Sequence, residues 1–435
     1  MYDLVLEDAT IVSSAGRLVA DIAVQKGKIA YVGPRAPGRA KQKMSAIGKF
    51  VMPGIIDSSV QVRCDGDQLE SWQTVSRAAL SGGVTTILDR PTGSRTIRSK
   101  TDLNARRKAA KSSRVNYGFW VSAGDDNLDK AMKAIAAGAI APFADLSIPE
   151  GMPGHLSTEG LARLFAAAPG IVGLQAEASS VVTEATQRLA DEEAPHHNDV
   201  RPPAAAEEAV RAIVELVRAT GKRAHICSLS TATELTLLDP IKGDLPISTE
   251  ISQHHLFLNA SNQARIGNKL KINPPLRDEK DRRALWTGLK RNRIDVVGSG
   301  HAGLTSKENQ GSYWEAPDGI PGIETTFMLL MSAVHHGRLG LERMVEILSE
   351  NPARLFNLKG KGRIAKGYDA DLLLFTEGEL ERFEKGQVLT RARWSPYMGR
   401  ELATKPELVL VNGRIVARRG EVVDDSGRGS EVVVG

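Results

Sequence analysis

The sequence has few cysteines, few aromatic residues and no long apolar run. Its two cysteines, Cys64 and Cys227, are too few for a disulfide framework or for a cysteine-based zinc site, so we expect a protein of a reducing compartment, the cytoplasm. Nowhere do about 18 uncharged apolar residues occur together, and the first residues alternate charged and apolar positions. These absences exclude a membrane span and a secretory leader as first interpretations.

The length and the charge set the scale of the molecule. The chain has 435 residues, of which 41% are apolar, enough for a large core. At about 150 residues per domain this length corresponds to about three domains, but a closed α/β barrel can take up about 250 residues as one unit. We therefore expect one large domain with a smaller companion. The net charge of +5 comes without a basic tail and does not by itself indicate nucleic acid binding.

Hydrophobic periodicity divides the chain into three parts. The first part alternates with period two over 4–12, 20–24 and 29–32, and the last part does so over 371–375, 408–411 and 414–417, with Asn412-Gly413 as a hairpin turn. Between them, apolar strand-like runs alternate with helical stretches. This rhythm favours a parallel (β/α)8 barrel, and a doubly wound open sheet is the alternative, although no glycine fingerprint for a dinucleotide is present.

Nine segments in order resemble the cyclic amidohydrolases, closest to dihydroorotases and next to allantoinases and hydantoinases. They are GGVTTILDRP (82–91), RPPAAAEEAV (201–210), HICSLSTATEL (225–235), TEISQHHLFL (249–258), KINPPLRDEKDRRAL (271–285), RIDVVGSGHAG (293–303), DGIPGIETTFMLLM (318–331), NPARLFNL (351–358) and GYDADLLLF (367–375). The resemblance implies a TIM-like (β/α)8 barrel of the metal-dependent hydrolase type with a small composite β-sandwich from both termini. It sets expected bounds of 1–52 and 361–435 for the sandwich and 53–360 for the barrel.

The resemblance also implies a zinc-bound water as the nucleophile, held by histidines and a bridging carboxylate or modified lysine. In this sequence the positions that match the metal ligands and the general base carry other residues: Ser59, Gln61, Leu146, Gln175, Ser228 and, for the general base, Gly300. The position of the bridging ligand falls on Leu146 or on its neighbour Asp145; the resemblance favours Leu146, and on a strand we expect Asp145 to face the opposite way. The sequence therefore predicts that zinc is absent and that hydrolysis through zinc has been abandoned.

Some positions for substrate binding survive. By resemblance Arg63 and Asn273 match residues that bind a carboxylate and a ring, whereas Thr92 stands where the family has Asn and Leu304 where it has His. We expect His254 and His255 to be structural.

A rebuilt centre would have to draw on Glu177, His225 and His301, together with the positions already named. Cys64 is a weak candidate nucleophile, since no Cys-His arrangement with an orienting group accompanies it.

One segment is strongly basic. Residues 95–114 carry eight cations against the single Asp102. The cations are Arg95, Arg98, Lys100, Arg106, Arg107, Lys108, Lys111 and Arg114. A solvated helix on the barrel exterior is the first interpretation and a surface for an acidic partner is the second. Nucleic acid binding is not expected, because aromatic residues are not interleaved.

Three hypotheses for function follow. The first is a catalytically inactive dihydroorotase homologue, not an enzyme, with a structural, assembly or regulatory role, as a homo-oligomer or as a partner of aspartate carbamoyltransferase, because inactive dihydroorotase-like chains resemble it most. The second is an amidohydrolase with a metal-independent or rebuilt site acting on a cyclic amide related to dihydroorotate, hydantoin or allantoin. The third is a small-molecule sensor that binds such a ligand through Arg63 and Asn273.

Overall fold

The computed structural model describes residues 1–63, 70–91, 96–424 and 426–435. The chain begins with five strands, β1 (Tyr2–Ser13), β2 (Gly16–Gln25), β3 (Lys28–Gly33), β4 (Ala40–Ser45) and β5 (Phe50–Pro53). The strands β1, β2 and β3 form an antiparallel meander, while β4 and β5 both run parallel to β1. The period-two pattern predicted the first three of these strands correctly. Cys64 and Thr92 lie outside the described residues, as does Arg95.

A parallel sheet follows and curls on itself. Its strands are β6 (Ile55–Gln61), β7 (Val84–Asp89), β8 (Asn116–Ser122), β9 (Ala141–Asp145), β10 (Val172–Gln175), β11 (Ala224–Cys227), β12 (Ile247–Ser252), β13 (Val296–Gly298) and β14 (His301–Ala302). They pair in chain order from β6 to β13, and β14 pairs with β6. Every residue of β7 is buried, as expected for a strand covered on both faces. The predicted TIM-like barrel is therefore confirmed.

The barrel closes at a break in its last strand. Strands β13 and β14 are separated by Ser299 and Gly300, and Gly300 has a φ of 63°, in the left-handed region. The Ser299 amide donates a 3.0 Å hydrogen bond to Asp57 in β6, which ties the last strand to the first. The break turns the chain so that β14 can pair with β6 on the far side.

Helices surround the barrel. Those of the described residues are α1 (Trp72–Ser81), α2 (Lys100–Ala110), α3 (Leu128–Ala136), α4 (Thr158–Ala167), α5 (Ser179–Arg188), α6 (His197–Val200), α7 (Pro203–Thr220), α8 (Ala232–Leu238), α9 (Gln253–Phe257), α10 (Ala260–Ile266), α11 (Glu279–Lys290), α12 (Thr326–His335), α13 (Leu341–Val345) and α14 (Asn351–Leu355). Helix α7 shows why they form: Pro203 starts it, and it ends at Gly221, whose φ is 65°. Its buried residues recur every three or four positions and form an apolar stripe along one face. Buried residues of the helices and of the barrel strands belong to one hydrophobic core.

Strands near the end of the chain complete the first sheet or form a separate hairpin. They are β15 (Leu372–Phe375), β16 (Leu380–Arg382), β17 (Glu401–Ala403), β18 (Leu408–Val411), β19 (Arg414–Arg418) and β20 (Glu421–Val422). Strand β15 lies antiparallel to β5 and joins the two ends of the chain in one sheet, while β16 and β17 form a separate hairpin. Asn412 and Gly413 both have positive φ and connect β18 to β19 as predicted.

The companion sheet has a core of its own, which includes Leu6, Ile22 and Leu372. The domain bounds at 52/53 and 360/361 stay a prediction. In the part of the chain that the structure describes, no helix is both long and apolar enough to cross a bilayer.

Candidate functional site

A polar pocket of about 300 Å³ opens where the barrel strands end. It is lined by Ser59, Gln61, Arg90, Pro91, Phe143, Asp145, Gln175, Ser228, Ser252, His254, His255, Ile272, Asn273, Gly300, Ala302, Asp318 and Gly319. The carboxyl end of a barrel sheet is where TIM-barrel enzymes place their active sites. The volume lies at the small end of the range of about 300–1,000 Å³ for ligand sites.

The structure brings five of the six altered positions to this pocket and corrects the sixth. Leu146 is not among the lining residues, since it follows the end of β9 and packs against the large core. Phe143 and Asp145 line the pocket instead, while Ala144 between them is fully buried in that core. The expectation that Asp145 faces away was therefore wrong, because the alternation along β9 was assigned with the opposite phase.

The side chains at the five altered positions that line the pocket do not fit a zinc ion. Ser59, Gln61, Gln175 and Ser228 offer hydroxyl and amide groups, and Gly300 offers no side chain, whereas zinc takes thiolate, imidazole and carboxylate ligands. Within residues 1–63, 70–91, 96–424 and 426–435, no group of three or more His, Cys, Asp or Glu side chains is arranged to hold a metal ion. The donor set therefore disagrees with the metal that the resemblance implies.

A buried charged cluster lies around the pocket floor. The Arg90 guanidinium pairs with Glu250, donates from Nε to the Ser58 carbonyl at 3.0 Å, and places Nη1 3.5 Å from the Ser228 hydroxyl. His225 also contacts Glu250, with 3.5 Å between Nε2 and Oε2. Burial alone would raise the pKa of Glu250, but Arg90 and His225 outweigh it and lower this pKa to about 2.

Two other carboxyl groups, those of Asp145 and Asp57, have a pKa that is raised and not lowered. Burial raises the pKa of Asp145, and the hydrogen bonds from the Ser147 amide and hydroxyl, at 2.9 and 2.7 Å, do not offset it. Both of these bonds go to Oδ1 of Asp145. Burial also raises the pKa of Asp57, whose Oδ2 has no hydrogen-bond partner. Asp145, which lines the pocket, is therefore a carboxyl group suited to proton transfer nearer to neutral pH.

The residues proposed for a rebuilt centre do not meet. His225 lies inside the barrel and stacks on Trp120. His301 points away from the pocket, with Nε2 3.2 Å from both carboxylate oxygens of Glu70. Glu177 pairs with Arg201 at 2.6 Å. Each of the three is held by its own partners and none lines the pocket.

The two residues expected to bind the substrate, Arg63 and Asn273, do not both line the pocket. Arg63 does not line the pocket and pairs with Glu308 at 2.8 Å. Asn273 does line it, and its amide donates to Asp318 at 2.7 Å. Of this pair only Asn273 is placed to touch a ligand in the pocket.

The two adjacent histidines at 254 and 255 line the pocket but are tied to the protein. His254 lies 2.9 Å from the Tyr397 hydroxyl through Nδ1, and His255 donates from Nε2 to the Pro274 carbonyl at 3.0 Å. Burial lowers the pKa of His254 to about 3 and that of His255 to about 4, so both are neutral imidazoles. These contacts agree with the structural role expected of them.

Sequence reasoning missed Arg90 and Asp318 as pocket residues, and it named Asp145 only as the neighbour of Leu146. Arg90 comes directly after β7, and the end of a barrel strand is itself a signal that could have singled it out. His197, which does not line the pocket, is buried, and its Nδ1 lies 2.6 Å from the hydroxyl of Tyr313. No local pattern indicates a contact with a residue so far along the chain.

The basic segment is largely used inside the protein. Arg106 forms a buried pair with Asp89 at 2.8 Å, and Arg107 pairs with Glu431 at 2.7 Å. Arg98 pairs with Asp126, and Arg114 is buried. The remaining exposed cations on α2, such as Lys108, are those of an ordinary solvated helix face.

The profile of the amidohydrolase family matches residues 50–416. The chain belongs to this family. It is 32% identical over 433 residues to a dihydroorotase of Methanothermobacter thermautotrophicus, covering 98% of this chain and 97% of that one. It is 28% identical over 451 residues to an L-hydantoinase of Paenarthrobacter aurescens, covering 99% and 97%. The solved L-hydantoinase (dihydropyrimidinase) from Arthrobacter aurescens superimposes with a TM-score of 0.93 and 27% identity over 100% of both chains.

These amidohydrolase relatives contradict the prediction that the chain is not an enzyme, because they are named as enzymes and are similar over nearly the whole chain. The prediction of inactivity considered only the six positions that match the zinc ligands and the general base of the family. It left out Arg90 and Asp145, which line the same pocket. The absence of zinc, the cytoplasmic location and an assembly with aspartate carbamoyltransferase stay predictions.

Proposed function

We propose that this protein is a cyclic amidohydrolase that opens the ring of its substrate with its own side chains. The observation that carries the proposal is Asp145, a half-buried carboxyl group that lines the pocket with its pKa raised. The names of the relatives support a cyclic amide as the substrate class.

In the proposed reaction Asp145 is the general base. It takes a proton from a water molecule as the water oxygen bonds to the amide carbon of the ring. The ring C–N bond then breaks, and the nitrogen receives that proton from Asp145. Base catalysis of this kind contributes about 10²–10⁴-fold to the rate.

Arg90 is the group that stabilises the charge that develops on the carbonyl oxygen. Its guanidinium is fixed by Ser58 and Glu250 before any substrate arrives, and a preorganised donor costs no rearrangement in the transition state. The side-chain amides of Gln175 and Asn273 line the same pocket and complement the alternating N–H and C=O groups of a cyclic ureide.

The test is a ring-opening assay with dihydroorotate, dihydrouracil, hydantoin and allantoin, in which the open-chain product is measured by chromatography, with and without a metal chelator. We expect at least one substrate to be opened, equally well with chelator. Asp145→Asn is expected to lower the rate by about 100-fold or more.

A matched control is Asp424→Asn. Asp424 makes the same local bonds, since its Oδ1 accepts from the Ser426 amide and hydroxyl, but it lies away from the pocket. Its substitution should leave the rate unchanged. No product from any of the four substrates, or an unchanged rate in Asp145→Asn, would contradict the proposal.

A further inference from the structure

Three of the described serines line the pocket, Ser59, Ser228 and Ser252. Among these three, Ser252 is the one whose hydroxyl contacts a histidine: its Oγ lies 2.8 Å from Nδ1 of His255, which lines the same pocket. The Ser228 hydroxyl faces Nη1 of Arg90 instead. A hydroxyl within hydrogen-bond reach of an imidazole is the arrangement in which a serine is activated as a nucleophile.

The direction of the hydrogen bond between Ser252 and His255 is fixed by the other nitrogen of the ring. The Nε2 atom of His255 lies 3.0 Å from the carbonyl oxygen of Pro274, and a carbonyl only accepts, so Nε2 carries the hydrogen. Burial lowers the pKa of His255 to about 4, so the ring is neutral near pH 7 and has no second hydrogen. Nδ1 therefore accepts and the Ser252 hydroxyl donates. The Pro274 carbonyl takes the part of the third group, which orients the base.

Ser252 does not use its hydroxyl to cap the helix that it precedes. It is the N-cap residue of α9, a position where a serine oxygen usually accepts a hydrogen bond from a helix amide, but its side chain makes no such bond. Gly300 lines the pocket beside it, and a Cβ atom there would lie 3.3 Å from Ser252 Oγ. Glycine at this position therefore leaves the hydroxyl uncovered on that side.

The low basicity of His255 decides which bond this pair of residues can break. A base with a pKa of about 4 takes the serine proton less readily than an ordinary histidine, whose pKa is about 6.5. A serine that is activated this weakly needs a good leaving group. An amide nitrogen leaves only when it is protonated, whereas the oxygen of a phenol leaves as an anion. The pair therefore suits an activated ester and not a ring amide.

We propose that Ser252 is the nucleophile and His255 the base of a second activity of this pocket, the cleavage of small esters of phenols. In the first step Oγ bonds to the acyl carbon while its proton passes to Nδ1, and the bond from that carbon to the phenol oxygen breaks with the phenolate leaving. The imidazolium then releases the proton to solvent.

In the second step a water molecule gives a proton to Nδ1 and its oxygen bonds to the acyl carbon. The bond between Ser252 Oγ and that carbon then breaks, and Oγ takes the proton back from His255. The products are a carboxylic acid and a phenolate. This activity goes beyond the proposed function, since it breaks a different bond with a different base.

The first test is covalent labelling of the full chain with a fluorophosphonate, in which a serine oxygen bonds to phosphorus and fluoride leaves. Mass spectrometry of the intact chain should show one label per chain, and peptide mapping should place it on Ser252. Ser59 and Ser228 are controls within the same pocket and should stay unlabelled. This test needs no variant, so it does not depend on whether a variant folds. An unlabelled chain, or a label on another residue, would overturn the inference.

The second test measures the release of p-nitrophenolate from p-nitrophenyl acetate. Ser252→Ala and His255→Gln should each lower the rate by about 100-fold or more. Ser157→Ala is the matched control, because Ser157 is the N-cap residue of α4 and does not line the pocket, and it should keep the rate of the unaltered protein. Circular dichroism confirms that each variant is folded before it is assayed. An unchanged rate in Ser252→Ala would overturn the inference.

The two proposals for this pocket can fail separately. Ester cleavage that depends on Ser252, without ring opening of any cyclic amide, supports this inference and contradicts the proposed function. Ring opening without labelling of Ser252 supports the proposed function and overturns this inference.

Discussion

His225 lies against Glu250 in the interior of the barrel, with Nε2 3.5 Å from Oε2, and its Nδ1 lies 2.9 Å from the Ser248 hydroxyl. With an oxygen atom facing each ring nitrogen, the imidazole is placed to carry a proton on both, in agreement with its pKa of about 9. The folded barrel therefore holds a proton on His225 at a pH where the unfolded chain, with an ordinary histidine, would have lost it.

The first prediction concerns the pH dependence of stability. Because the pKa of His225 is raised on folding, its contribution is fully present below about pH 6.5 and is lost as the pH rises through about 9. His225→Gln should lower the free energy of unfolding by about 1–3 kcal/mol more at pH 6 than at pH 10. Urea unfolding at the two pH values measures this difference. An equal loss at both pH values would contradict the charged state of His225.

A second prediction concerns Asp145. A carboxyl whose pKa is raised on folding stabilises the folded state at low pH, and this contribution is lost as the pH rises through its folded value. Asp145→Asn should therefore raise the free energy of unfolding by about 1 kcal/mol at pH 8, with the gain fading towards pH 4. Chemical denaturation at both values checks it. Asp424→Asn serves again as control and should not be stabilising, since hydrogen bonds led by Ser426 lower the pKa of Asp424.

The third prediction concerns the glycine at the break in the last barrel strand. A Cβ atom on Gly300 would lie 2.8 Å from the Cβ of Ser252, and the φ of 63° already disfavours a side chain. Gly300→Ala should therefore cost about 2–4 kcal/mol of stability, from strain and overpacking together. Gly221→Ala is the matched control, because Gly221 has a φ of 65° with nothing within 4 Å, and should cost only about 1 kcal/mol. Thermal and urea unfolding of the two variants measure the two losses of stability. Equal losses would contradict the prediction, since they would show that Ser252 moves to make room for the added Cβ.

A fourth prediction separates the buried and exposed cations of α2. Arg106→Gln removes the cation that pairs with Asp89 in the core and should cost about 3–5 kcal/mol. Lys108→Gln removes an exposed charge from the same helix and should change stability by less than about 0.5 kcal/mol. Urea unfolding of both variants at one pH checks this, and a comparable cost for the two would mean that the pair with Asp89 contributes little.

Much of the fold was predictable because periodicity reports burial. The period-two runs at both ends and the alternation between them predicted the companion sheet and the barrel, and Asn412-Gly413 predicted its hairpin. The site was harder to predict from the sequence, because its chemistry depends on which side chains of a strand face the pocket. A shift of one position on β9 exchanges Asp145 with Leu146, and the sequence contains nothing local that decides between them.

Partners that lie far apart in the chain were the second obstacle. Arg90 is fixed by Glu250, and His197 contacts Tyr313, so neither side chain has a neighbour in sequence that reveals its role. Comparison with the motifs of the family also considered only positions that have a known function in that family. A residue with a new task, such as the one proposed for Arg90, has no place in such a comparison.

The pairing of β5 with β15 has a consequence for synthesis on the ribosome. Phe50–Pro53 is made early, but its partner Leu372–Phe375 emerges more than three hundred residues later. At about 5–20 residues per second, the nascent chain carries one unpaired edge of its first sheet for about 15–65 seconds. The whole barrel can form within that interval, so the companion sheet is the last part of the molecule to close.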